Sequence, residues 1–320
     1  MKCMIIWGLV FVLSLAGLIG AAEFFIRASE RTGLALGVSP FIIGITLVAV
    51  GTSLPELISS ILAVLAGSSE IVLGNVIGSN ISNMCLILGI TGILARKIHI
   101  NFDITKVDLP MMMGATFLLA LLILDGNLAL YEGVICLVGM GIYLMYVLSS
   151  DSNDDSANDD DEDIPELDKP YSWREPVILL LSSAAIYFSA HYLIHSIIAI
   201  SQALQIGTEI IALTAVALGT SLPELVVSIV AVRRNNAEIA VGNVLGSNIF
   251  NIFAVVGIPR LIGELTVAPS LIEFSLPVLV ATTILCYFIV QDKVVTRWEG
   301  LTLFLFYLFF IIHISVSMNV

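Results

Sequence analysis

Apolar residues in this chain fall in runs of about 20, separated by short polar stretches, and runs of that length read as membrane-crossing helices. Ten spans are predicted: near 4–28, 38–66, 70–95, 107–124 and 128–149, then 176–203, 208–232, 237–262, 269–291 and 298–318. Two of them break their own pattern. "VAVGTSLPELISS", Val48 to Ser60, and "VALGTSLPELVVS", Val216 to Ser228, each place Gly, Pro and a carboxylate inside an apolar run. The opening segment, "MKCMIIWGLVFVLSLAGLIGAAEFF", imitates a secretory signal with Lys2, an apolar core and small residues. It is expected to be an uncleaved first helix, because the repeat described below requires a helix there.

Composition agrees with the pattern. The chain is 58% apolar and 12% charged, with a mean hydropathy of +1.03. Such values exclude an ordinary soluble domain and point to an all-α polytopic membrane protein. The net charge of −13 is concentrated in one place, since Asp151–Asp168 holds ten of the 26 acidic residues. This stretch is expected to be a solvated linker, with a regulatory Ca²⁺-binding segment or a docking site for a basic partner as alternatives. It lacks the spacing of an EF-hand. The expected domains are therefore a first five-helix unit (1–149), the linker (150–173) and a second five-helix unit (174–320).

Lys and Arg set the orientation. With the N-terminus outside, eleven basic residues fall on the cytoplasmic side and only Lys2 and Arg260 outside. Both termini are thus expected outside a plasma or inner membrane, with the linker in the cytoplasm. The four cysteines, Cys3, Cys85, Cys136 and Cys286, are scattered through apolar segments and read as packing residues.

The chain also repeats itself. A shift of 168 residues lays Thr46–Asn83 on Thr214–Asn251 without a gap, with 24 of 38 positions identical. Each copy carries "GTSLPEL" and then "GNVIGSN" or "GNVLGSN". Each copy sits on the second and third helices of a five-helix unit. Five is odd, so the second unit must cross in the opposite sense, an inverted-topology repeat of the kind found in secondary transporters.

The repeated motifs are rich in oxygen. Ala49, Thr52, Ser53, Glu56 and Ser60 share one helical face, as do Ala217, Thr220, Ser221, Glu224 and Ser228. Asn75, Ser79 and Asn83 form a stripe on the next helix, repeated as Asn243, Ser247 and Asn251. Pro55 and Pro223 are expected to free backbone carbonyls, with those around Ala49 and Ala217 as natural ligands. Neither motif holds His or Cys, which disfavours zinc, copper and iron; an all-oxygen cage with two carboxylates suits Ca²⁺ and Na⁺. Two negative charges are neutralised by one Ca²⁺ or two Na⁺, which permits exchange.

Blander readings stand beside these. An isolated Ser or Thr in a membrane helix commonly bonds back to its own backbone. Gly74, Gly78, Gly242 and Gly246 read as close helix packing, and Glu70 and Glu238 as charges favoured at helix starts. His191 and His195, one turn apart, could relay protons or bind a metal, but nothing in the first unit matches them.

The paired "GTSLPE" and "GNVIGSN/GNVLGSN" blocks resemble the alpha-repeats of the sodium/calcium exchanger family, within the cation/Ca²⁺ exchanger superfamily, over essentially the whole chain. The proton-coupled branch typically shows GNxxE, so the sodium branch is the closer likeness. The resemblance implies that Glu56 and Glu224 are central Ca²⁺ ligands, with Thr52, Ser53, Thr220, Ser221, Ser79 and Ser247 lining the central and sodium sites. It implies backbone ligands at Ala49 and Ala217, and first and sixth helices that slide across a rigid core. One departure stands out. Many members carry Asn in the first repeat and Asp in the second where this chain has Asn83 and Asn251. A third carboxylate is missing, which bears on stoichiometry, electrogenicity and ion identity.

The expected function is Na⁺/Ca²⁺ antiport by alternating access, without an enzymatic activity or a resident cofactor. The expected partners are the two ions and the lipid bilayer, with no nucleic acid, and the chain is expected to work as a monomer. The alternatives are coupling to H⁺ or K⁺, another divalent cation, and a passive Ca²⁺ channel. An intramembrane hydrolase lacks a base beside Ser53.

Overall fold

The computed structural model describes residues 2–150, 173–203 and 221–317. The acidic linker and most of the seventh predicted span lie outside them. The described residues form ten helices: α1 Lys2–Leu36, α2 Pro40–Leu65, α3 Glu70–Ala95, α4 Asp108–Ile123, α5 Leu130–Ser150, α6 Arg174–Ala203, α7 Leu222–Arg233, α8 Ala237–Ile262, α9 Leu271–Val290 and α10 Arg297–Ser317. Eight of them are long and apolar enough to cross a membrane, and α4 is a shorter apolar helix. α7 is the part of the 208–232 span that falls among the described residues.

Local chemistry sets the helix ends. α1 runs eight residues beyond its predicted end at 28, carrying Gly33 within the helix and stopping only at Gly37. Gly37 takes φ +74, and the N–H groups of Gly37 and Val38 bond back to Leu34 and Gly33. This paired return is a left-handed helix terminator, which glycine adopts without steric cost. The same device ends α2 at Gly67 and α7 at Asn235, two positions 168 residues apart.

Two short ribbons join the ends of the helices. β1 (Lys97–His99) pairs antiparallel with β4 (Val294–Thr296), and β2 (Asn127–Leu128) with β3 (Leu265–Thr266). Their registers carry the repeat. Lys97 faces Thr296 in one ribbon, and adding and subtracting 168 gives Leu265 facing Leu128 in the other.

Burial separates core from periphery. α8 is buried through its middle and open only at its ends, and α3 is buried along most of its length, whereas α1 and α6 pack chiefly on each other and present most of their surface outward. Leu13 and Leu180 on these outer helices stay exposed, as befits a face whose solvent is hydrocarbon. Cys85, Cys136 and Cys286 are free and buried in the core. Lys106, then Thr105 and Lys293, bond the half-buried Asp103 and hold its carboxyl below the usual carboxylate range.

Candidate functional site

α2 and α8 meet backbone to backbone. A Cβ on Gly242 would stand 2.5 Å from the Phe41 carbonyl oxygen, and one on Gly44 would stand 2.5 Å from that of Ile239. Gly246 lies equally close to Ile45. The packing role expected for Gly242 and Gly246 therefore holds; Gly74 and Gly78 meet nothing so close among the described residues. This contact fixes the depth at which the polar face of α2 meets its neighbours. Thr52 Oγ1 donates to Asn243 Oδ1 of α8 at 3.1 Å, and Ser53 Oγ to Glu224 Oε1 of α7 at 3.4 Å.

Glu56 and Glu224 lie at the centre, each 1% exposed. Glu56 projects from mid-α2 beside Thr52 and Ser53; Glu224 stands in the first turn of α7, where Pro223 opens the helix. The two carboxyl groups act directly on each other. Among the described residues, Glu56 Oε2 and Glu224 Oε2 have no hydrogen-bond partner, and neither do Asn83 Oδ1 and Asn251 Oδ1. Four buried, unpartnered oxygens are a heavy burden in a protein interior. They are acceptors, so a hard cation satisfies them, and a carboxylate ionised at this depth requires such a countercharge.

The asparagines are crossed between the repeats. Asn83 Nδ2 donates to Asn248 Oδ1 at 3.2 Å, and Asn251 Nδ2 donates to Asn80 Oδ1 at 3.1 Å. Asn80 Nδ2 in turn bonds the Asn248 carbonyl at 3.2 Å. Asn83 and Asn251 each open a π-helical turn, Asn83–Ile87 and Asn251–Val255. Turns of this kind recur at functional sites. Ser79 and Ser247 are buried on the same helices, and Ser247 Oγ reaches Asn243 Oδ1 at 3.4 Å. The repeats are not identical in contacts: Asn243 Nδ2 bonds Ser228 Oγ at 2.9 Å, whereas Ser60 Oγ and Asn75 Nδ2, their counterparts, have no partner among the described residues.

Several expectations need adjustment. Pro55 does not break its helix. Ala49–Leu65 is continuous through it, and the irregular turn lies earlier, at the π-helical Gly44–Val48. Thr52 Oγ1 also accepts the bland role, lying 3.1 Å from the Val48 carbonyl oxygen and 3.4 Å from that of Ala49. Ala217 and Thr220 lie outside the described residues; Ser221 stands just before α7 and is buried. The rings of His191 and His195 lie 4.4 Å apart, tilted to each other, at exposed positions of α6. Among the described residues no three His, Cys, Asp or Glu cluster as a metal site. Asn80 and Asn248 are the residues that the sequence reading passed over as contacts, whereas Asn243 lay on its oxygen stripe. The signal for Asn80 and Asn248 was the identical Asn in both copies of "GSN".

Known proteins with this arrangement are similar along the whole chain. The sequence matches the family described as sodium/calcium exchanger protein over residues 6–149 and 175–316. The sodium/calcium exchanger MaX1 of Methanosarcina acetivorans is 34% identical, over 95% of this chain and 97% of its own. The putative antiporter CaxA of Alkalimonas amylolytica is also 34% identical, over 82% of each chain. The solved structure of the sodium-calcium exchanger NCX_Mj, soaked without Na⁺ and Ca²⁺, superposes with a TM-score of 0.81 at 29% identity, covering 97% of this chain and 99% of that one. The chain is thus a membrane ion antiporter, not an enzyme, and belongs to the sodium/calcium exchanger protein family.

Proposed function

We propose that the protein exchanges Na⁺ for Ca²⁺ by alternating access, with Glu56 and Glu224 as the central ligands. The observation that carries this reading is the meeting of two buried carboxylates, one from each repeat, each with an unpartnered oxygen. Thr52, Ser53, Ser79, Asn83, Ser221, Ser247 and Asn251 complete the oxygen lining, with Thr220 and the carbonyls of Ala49 and Ala217 assigned by sequence alone. Two carboxylates supply two charges, so one Ca²⁺ and two Na⁺ are alternative ways of filling the same site. The empty, doubly charged site is the costly state, and that cost couples the two ions. The whole site lies within one chain, so a monomer suffices.

The architecture goes with it. Ten crossings in two inverted units account for the shared register of the two ribbons, and both termini are assigned to the outside with the linker in the cytoplasm. In proteoliposomes loaded with Ca²⁺, an inward Na⁺ gradient is expected to drive ⁴⁵Ca out, and Glu56→Gln or Glu224→Gln to abolish it. Ca²⁺ movement indifferent to the Na⁺ gradient overturns the reading. A second reading, coupling to H⁺ or K⁺ on the same scaffold, is favoured by one observation: both Asn83 and Asn251 are neutral amides. Flux that ignores Na⁺ and follows a pH or K⁺ gradient selects it.

A further inference from the structure

We infer that Asn80 and Asn248 are positioning residues, which hold the amides of Asn83 and Asn251 so that only oxygen faces the transported ion. The inference rests on the proposed cation site and goes beyond it, because neither residue lies on the ligand stripe. A free Asn side chain can present either its carbonyl oxygen or its NH₂ to a neighbour, and NH₂ repels a cation. Here the choice is fixed. The Asn83 amide donates across the repeat interface to Asn248 Oδ1, and the Asn251 amide donates back to Asn80 Oδ1. Both Oδ1 atoms are left buried and unpartnered, and both residues are 1% exposed.

The two holders are themselves anchored. Asn80 Nδ2 bonds the Asn248 carbonyl, and Asn248 Nδ2 lies 3.9 Å from Met112 Sδ. If Asn80 turned over, its NH₂ would face the NH₂ of Asn251 and the bond to the Asn248 carbonyl would be lost. The tautology of a single repeat is avoided, since each holder serves the asparagine of the opposite unit. Amides of both units must therefore stay in register for either ion ligand to point inward.

The test is Ca²⁺ binding to the purified full-length protein in detergent by calorimetry, with Na⁺ as competitor. Asn80→Leu is expected to weaken Ca²⁺ binding by about tenfold or more, the usual cost of losing a group that orients a metal ligand. Asn80→Asp, which keeps an acceptor for the Asn251 amide, is expected to recover most of that loss. Asn248→Leu should repeat the loss through Asn83. The signature of positioning lies in the double variants: Asn80→Leu should add little in an Asn251→Leu background yet cost its full factor in an Asn83→Leu background. Unchanged affinity in Asn80→Leu, or equal costs in both backgrounds, overturns the inference. Asn80→Ala replaces the leucine variant if the latter is not monodisperse. Failure of the underlying site reading looks different, because Glu56→Gln would then leave Ca²⁺ binding of the parent protein intact.

Discussion

At the scale of single residues, the proposed site draws two charges from Glu56 and Glu224 when both are ionised, and the amide at Asn251 adds none. Exchange of one Ca²⁺ for two Na⁺ then moves no net charge. The expectation is ⁴⁵Ca flux indifferent to an imposed K⁺-diffusion potential. Asn251→Asp adds a charge and room for a further Na⁺, so its flux should become voltage-sensitive; potential-dependent flux in the parent protein contradicts the count. Stability follows the same logic. Unneutralised carboxylates in a dry core oppose folding, so Glu56→Gln should melt higher than the parent in cation-free buffer. Added Ca²⁺ should raise the parent's melting temperature and leave that of the variant unmoved, since a ligand stabilises only a fold that binds it. The polar face of α2 was legible because helical spacing alone aligns Thr52, Ser53 and Glu56, and all three prove buried. Asn80 and Asn248 were not, because the i+4 stripe through Ser79 and Ser247 points past them by one residue, towards the other repeat. What lies across an interface has no period in sequence.

At the scale of elements, hydropathy located the helices to within a few residues, since hydrocarbon thickness fixes the length of an apolar run. It failed where the cause was not hydropathy. α1 continues past its apolar stretch because only Gly37 supplies a stop. Pro55 lies inside the continuous helix Ala49–Leu65, where its missing N–H still leaves the Gly51 carbonyl without a helical donor, and a separate π-helical turn precedes it at Gly44–Val48. Packing at that turn gives a clean test. A methyl group at Gly242 would press on the backbone of Phe41, Gly44 and Ile45, atoms that cannot rotate aside. Gly242→Ala is expected to destabilise the protein by about 1–3 kcal/mol, the usual cost of overpacking. It should also weaken Ca²⁺ binding, because the same contact sets Thr52 against Asn243. Gly141→Ala, with open space around it among the described residues, should match the parent in both thermal melting and Ca²⁺ titration.

For the molecule as a whole, the two ribbons and the ion pairs bear on how the chain is threaded. β1 and β4 lie between spans that the alternating count ends on the cytoplasmic side, and β2 and β3 between spans it ends outside. Each ribbon thus joins segments assigned to one side, as an even alternation of ten crossings requires. The charged contacts agree: Arg31 with Glu175 at 2.6 Å, Arg234 with Glu30 at 2.9 Å, and Lys293 with Asp103 at 3.3 Å all join positions assigned to the cytoplasm. Sequence could supply the absolute sense only through the Lys and Arg imbalance, because an inverted repeat looks much alike from either face. Labelling decides it. With Cys3, Cys85, Cys136 and Cys286 replaced by Ala, a single Cys at Asp125 in intact cells should react with a membrane-impermeant maleimide. A single Cys at His99 should react only after permeabilisation, and so should one at Ser156 in the acidic linker. The opposite pattern inverts the molecule, and with it the side on which the linker's ten acidic residues meet ions leaving or entering the site.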